Sequence, residues 1–447
     1  MQDWLVRDSK AIWHPFTPTP HLGPRTVITR AKGAYVFDAE GKSYFDATSS
    51  WWCNTHGHCH PKLVEALTRQ AATLDQILFS PHTHSVAVEL SELILQKLGA
   101  DFTQIFFSDD GSTAVEAALK MAIQFWKQSG RPERHKFLSM DLAYHGDTLG
   151  AVSVSQIGEY HHAFSGYGRS GFRAPGPYCY RCPIGNKYPE CAVACLDETE
   201  KVLAENEGEI AALIVEPLVL GAAGMVIYPR EYLERLVRLA KRYGILVIYD
   251  EVFTGFGRTG TLFAMDQVAD DCRPDIVCLS KGLTGGMMPM AVTVVNEKVR
   301  AAFRGGAEKT FFHGHTFTAN ALGCAVALAA VKIFDDEKTL ITNRPKIAFL
   351  ASQRETFLAL PHVGDVRTMG MIFAVELVSE KTNRTQPTPP NRYGWKIAQA
   401  LWDQGIWIRP LHNMIYLVPP YCVTETELRH VMSLLHWEIQ NERHYGN

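Results

Sequence analysis

Asp250, in ILVIYDEV, and Lys281, in CLSKGLTGG, each directly follow a short apolar run. Runs of this kind read as buried strands, so both side chains stand at strand ends. A carboxylate and an amine so placed can hold an aromatic, phosphorylated aldehyde from two sides. The carboxylate would keep a pyridine nitrogen protonated and make the ring an electron sink. The amine would form a Schiff base with the aldehyde, helped by a lowered pKa in a partly desolvated site. A phosphate needs N–H donors, and DDGS at 109–112 supplies them where a helix begins. There Gly111 permits close approach and Ser112 adds a hydroxyl. Tyr144, in LAYHGDTLG, is the candidate to cover the ring face, and Asp147 either orients substrate polar groups or caps its own loop. The plainer alternatives are a structural ion pair between Asp250 and Lys281 and a simple capping turn at Ser112.

The elements that must carry these residues alternate. QIFFSD reads as a strand and leads into a helix with Val115, Ala118, Leu119 and Ala122 on one face and a capping box of Thr113 with Glu116. AALIVEPLV is a strand, and PREYLERLVRLAKRYG is a helix with Pro229 at its start and Gly244 past its end. Leu233, Leu236, Val237 and Ala240 form its apolar face. Continuous apolar strands separated by helices predict an α/β fold, a mostly parallel sheet covered on both faces. Ligands of such sheets bind beyond the carboxyl ends of the strands, the address Asp250 and Lys281 share. The C-terminal part differs: a helix from about Leu322 to Phe334, short strands in LPHVGDVRTMGMIFAVELV, the loop RTQPTPPNR, a further helix and GIWIRPLHNMIYLVPPY. It reads as a smaller α+β domain joined by the N-terminal residues. The expected division is 1–60 and 326–447 for the small domain and 61–325 for the large one.

Other patterns carry less. GFGRTG at 255–260 matches a dinucleotide fingerprint, with Asp275 about 20 residues on, yet no helical register follows and Asp-Glu precedes it. It reads better as a tight loop that positions Asp250. Cys179, Cys182, Cys191 and Cys195 have a spacing that could bind zinc or an iron–sulfur cluster. The intervening segment is short, however, and the chemistry above needs no metal. A loop of reduced thiols is the plainer reading, and no metal is expected.

With 46% apolar and 20% charged residues, the 447-residue chain has a globular composition. A net charge of −3 gives no electrostatic case for nucleic acid or anionic membranes. Ten cysteines are too dilute for a disulfide scaffold. The N-terminus lacks an apolar core, and the longest apolar stretch carries Glu216 and Pro217, so neither a secretory signal nor a membrane span is expected. A cytoplasmic protein follows.

YDEVFTGFGRTG, LSKG, DDGSTAVEAALKMA, YHGDTLGA and VEPLV together resemble the class III (omega) aminotransferases, over residues from about 12 to 435. The resemblance implies pyridoxal 5′-phosphate as cofactor, fold type I with a seven-stranded sheet, Lys281 as the Schiff-base lysine, and a homodimer with shared active sites. It further implies that His315 and Thr316 lie beside the phosphate, Thr316 reaching the partner's, with Gly314 near the substrate. IWHPFT, SSWWCNTHGH and GIWIRPL…IYLVPPY look like the branch of the family that aminates 8-amino-7-oxononanoate on the route to biotin. In that branch Trp51 and Trp52 line an apolar channel, Arg409 binds the substrate carboxylate, and Phe16 and Tyr144 face the substrate. A long methylene chain does need apolar walls and one cation at its far end. S-adenosylmethionine is the expected amino donor. Phe16 and His315 keep lysine as the alternative, and another omega-aminotransferase acting on diamines or omega-amino acids is the alternative activity.

Overall fold

The computed structural model describes residues 2–18, 25–167, 171–387 and 392–445, so part of the loop RTQPTPPNR (388–391) lies outside the described residues. The chain divides into two compact units, Lys62–Ile341 and a discontinuous one of Met1–Pro61 with Thr342–Asn447.

Seven strands form the central sheet of the Lys62–Ile341 unit: β1 (Phe102–Ser108), β2 (Lys136–Met140), β3 (Gly171–Ala174), β4 (Ile210–Val215), β5 (Leu246–Asp250), β6 (Ile276–Leu279) and β7 (Ala291–Asn296). Their order across the sheet is β1-β7-β6-β5-β4-β2-β3. Only β7 runs against the rest, pairing antiparallel with both β1 and β6. Every residue of β4, β5 and β6 is buried. This is why these strands read as unbroken apolar runs rather than alternating ones.

Helix α1 (Gly111–Gln128) follows β1 and buries Val115, Ala118, Leu119 and Ala122 against the sheet. Its capping box lies upstream of the expected pair. Asp110 Oδ1 accepts from the Thr113 amide at 3.0 Å, and the Asp110 amide donates to Thr113 Oγ1 at 3.1 Å. Glu116 instead turns its carboxylate to the amide of Gly150, 2.7 Å away. The Asp-x-x-Thr pair won because Asp110 is the last extended residue, and that position sets the cap. Helix α2 (Arg230–Arg242) buries the predicted face and ends at Gly244, whose φ of +66° suits a helix stop.

Helix α3 (Ala321–Asp336) packs Val326, Ala330 and Ile333 with Leu63. The expected domain boundary at residue 325 falls inside this helix, which belongs whole to the Lys62–Ile341 unit. A helix is one cooperative element, and its buried face ties both halves to the same core.

The second unit has a four-stranded sheet (Ile28–Lys32, Tyr35–Asp38, Ser43–Asp46, Ile406–Trp407) and a three-stranded one (Val363–Met369, Ile372–Leu377, Met414–Leu417). Helix α4 (Tyr393–Asp403) leads directly into the strand that precedes Arg409. Among the described residues, no helix is long and apolar enough to cross a membrane.

Candidate active site

The carboxyl ends of five strands, β1, β2, β4, β5 and β6, deliver the chemistry-bearing residues of the large unit. Gly111 and Ser112 open α1 after β1; Tyr144 and His145 follow β2; Glu216 follows β4; Asp250 ends β5; Lys281 follows β6. The register pairs Asp250 with Cys278, which sets Lys281 three residues beyond that pair. Lys281 has φ +45°, a left-handed conformation that a non-glycine residue adopts at roughly 1–2 kcal/mol. Its Nζ stands 6.0 Å from the Phe253 ring centroid. Strain at a residue carrying a nucleophile is held by the surrounding fold and fits a functional position.

Asp250 is buried, and its two oxygens have separate partners. The Val252 amide donates to Oδ1 at 3.1 Å, and His145 Nδ1 lies 2.8 Å from Oδ2. An ionised carboxylate only accepts, so Nδ1 carries the proton. His145 is fully enclosed, and its Nε2 is buried without a partner. His145 therefore braces Asp250 from the side of Oδ2. Glu216 accepts from the amides of Tyr144 and Gly221, both at 3.0 Å. Burial pushes its carboxyl up to about 7; nearby His145 opposes the rise and Asp250 adds to it. Sequence reasoning missed His145, although it adjoins Tyr144, and used Glu216 only to argue against a membrane span.

Tyr144 donates its hydroxyl to Asp147 Oδ2 at 2.8 Å, and its ring stacks on His161, with centroids 5.8 Å apart and planes 11° from parallel. Asp147 thus orients Tyr144, and its backbone amide donates to Ser112 Oγ at 3.2 Å. His161 lies 3.5 Å from Asp147 Oδ1 and is buried. His315 Nδ1 lies 3.1 Å from Asp109 Oδ2, two residues before Gly111, while Thr316 is exposed and its carbonyl accepts from Gln76. Gly314 is exposed beside them.

The residues present fit pyridoxal phosphate. A buried, braced carboxylate suits a protonated ring nitrogen, an amine sits on a neighbouring strand end, and a helix N-terminus offers amides to a phosphate. Gly146 shows how closely the cradle is built: its φ is +124°, and a Cβ there would stand 2.3 Å from Ser112 Oγ and 3.0 Å from Ser112 Cα. Gly146→Ala is therefore expected to weaken cofactor retention by about tenfold or more, since strain of this kind costs roughly 1–3 kcal/mol. Reconstitution of the apoprotein with measured cofactor affinity tests this; unchanged affinity would contradict it.

The predicted substrate residues Phe16, Trp51, Trp52 and Arg409 all belong to the other unit, where the structure brings Phe16, Trp51 and Arg409 together. Phe16 and Trp51 rings are 5.5 Å apart, and the Arg409 guanidinium lies 5.4 Å from the Trp51 ring. Trp51 and Trp52 do not act as twins. Trp51 is 44% exposed, whereas Trp52 is 5% exposed and donates Nε1–H to the Tyr416 hydroxyl at 3.1 Å. Positive φ at Ser49, Ser50 and Trp52 turns the pair apart. Only Trp51 offers an open face.

Two other sequence features resolve structurally. GFGRTG forms turns with Arg258 buried, and no helix follows it directly. The Asp275 carboxylate accepts from the amide of Val247, at the amino end of β5, opposite the site. Cys179, Cys182, Cys191 and Cys195 line one apolar cavity. Among the described residues, no group of three or more His, Cys, Asp or Glu could hold a metal ion.

A seven-stranded, mostly parallel sheet with a lysine, a braced carboxylate and a helix N-terminus at its carboxyl edge defines a pyridoxal-phosphate enzyme of fold type I. The family model of aminotransferase class-III matches residues 18–439. The chain belongs to the class-III aminotransferases and is a pyridoxal-phosphate-dependent transaminase. It is 42% identical over 433 residues to the adenosylmethionine-8-amino-7-oxononanoate aminotransferase of Geobacter sulfurreducens, covering 96% of this chain and 94% of that one. The crystal structure of the like-named Methanocaldococcus jannaschii protein superposes with a TM-score of 0.92 at 34% identity, covering 98% of this chain and 99% of that one. The omega transaminase of Pseudomonas jessenii, solved in complex with PMP, gives 0.90 at 30% identity over 96% of each chain.

Proposed function

We propose that this enzyme transfers an amino group to 8-amino-7-oxononanoate, making 7,8-diaminononanoate for biotin. The observation that carries the reading is Arg409, a cation set against the half-exposed ring of Trp51. Such a pairing suits a substrate with a long apolar chain ending in a carboxylate. The names of the relatives point the same way.

The bound cofactor supplies an aldehyde to accept the amine and a ring to absorb the electrons of the broken C–H bond. Lys281 Nζ would hold the cofactor through its aldehyde, and as a free amine it would act as the base that takes up and returns the substrate proton. Asp250 holds the ring-nitrogen proton, with His145 fixing its orientation. Tyr144, oriented by Asp147, covers the ring face, and the amides of Gly111 and Ser112 take the phosphate. The keto acid then receives the amine by the reverse path, with Arg409 on its carboxylate. The enzyme works as a cytoplasmic homodimer in which His315 and Thr316 lie beside the phosphate, Thr316 reaching the partner's, with Gly314 near the substrate.

S-adenosylmethionine is the proposed donor, supported by the relatives' names. Lysine remains the competing donor because Phe16 lacks a hydroxyl and His315 stands where a proline is expected. Adding each donor alone to the holoenzyme tests this. S-adenosylmethionine is expected to bleach the visible absorption of the aldehyde form. Bleaching by lysine alone would reverse the donor assignment.

A further inference from the structure

Arg409 has no carboxylate partner among the described residues; its one hydrogen bond there runs from Nη2 to the Phe16 carbonyl, at 2.8 Å. An arginine side chain left so is long and mobile, a poor receptor for a carboxylate unless something holds its plane. Two indole rings do so. The guanidinium carbon lies 5.4 Å from the Trp51 ring and 5.9 Å from that of Trp395, both within cation–π range.

The two rings are anchored independently. Trp51 is carried by the strained Ser49–Trp52 segment. Trp395 stands in the first turn of α4, directly after Gly394. A Cβ on Gly394 would stand 2.9 Å from the His412 carbonyl oxygen and 3.1 Å from Pro410 Cβ. The start of α4 is thus packed tightly against the chain just past Arg409, which fixes the backbone that carries Trp395. Aromatic faces neutralise no charge and use none of the guanidinium's in-plane donors, so the donor edge stays available for an anion.

We propose that Trp395 is a positioning residue that, with Trp51, holds the Arg409 guanidinium in the orientation that receives the substrate's terminal carboxylate. The inference rests on the function proposed above and adds a determinant of specificity to it.

The test compares 8-amino-7-oxononanoate with its terminal carboxamide on the holoenzyme of the parent and of Trp395→Leu, Trp395→Phe and Arg409→Gln. Trp395→Leu is expected to raise KM for the acid about two- to fivefold with kcat nearly unchanged, the loss a partly exposed cation–π contact implies. KM for the carboxamide should not move, and Trp395→Phe, which keeps an aromatic face, should recover most of the loss. Equal rises for acid and carboxamide, or no rise in either leucine or phenylalanine variant, would overturn the proposal. Arg409→Gln separates the two levels. If it abolishes the preference for acid while Trp395→Leu does not weaken it, this inference alone fails. If Arg409→Gln leaves the preference intact, the carboxylate reading itself fails.

Discussion

Lys281→Ala is expected to lower turnover by at least about 10⁴-fold, the largest effect of any single change in this chain. Two losses combine. In the proposed mechanism the variant loses both the amine that would tether the aldehyde and the base that would move the substrate proton. Neither role has a substitute nearby: Asp250 is engaged by His145 and Val252, and His145 is enclosed. Borohydride reduction followed by mass spectrometry should place the cofactor on Lys281 in the parent and nowhere in the variant. Added small amines should restore part of the proton transfer. Substantial activity in Lys281→Ala without added amine would remove the lysine from the mechanism.

Asp250→Asn comes next, with an expected loss of about 10³-fold, the scale seen when a preorganised electrostatic partner is removed. The substitution is nearly isosteric. An asparagine can accept from the Val252 amide and donate to Nδ1 of the opposite His145 tautomer, so folding should survive. What it cannot do is keep a proton on the ring nitrogen. A cofactor analogue methylated at that nitrogen, whose positive charge is permanent, should therefore recover much of the lost rate. Failure of the analogue to help, with melting temperature unchanged, would show that Asp250 acts in some other way.

What could be read from the residues, and what could not, divides along physical lines. Asp250 and Lys281 were legible because β4, β5 and β6 are buried on both faces, and unbroken apolar runs end visibly. Gly111 and Ser112 were legible because a helix N-terminus has a local signature. The box of Thr113 with Glu116 was misplaced because the cap belongs to the last extended residue, and only the backbone identifies Asp110 as that residue. The His145–Asp250 and Trp395–Arg409 contacts could not be read because the partners are distant in sequence. The different fates of Trp51 and Trp52 depend on left-handed backbone at Ser49, Ser50 and Trp52, positions where residue type gives no warning. The boundary near residue 325 was placed by a change of pattern, whereas α3 is held by its contact with Leu63, far upstream.

The reaction itself, amination of a long-chain keto acid by this transaminase, can be measured directly. Holoenzyme incubated with 8-amino-7-oxononanoate and, in separate vessels, S-adenosylmethionine or lysine should yield 7,8-diaminononanoate, identified by mass and chromatographic retention. The account predicts product with S-adenosylmethionine. The absence of 7,8-diaminononanoate with either donor, from enzyme whose cofactor is bound and responds to amines, would contradict it.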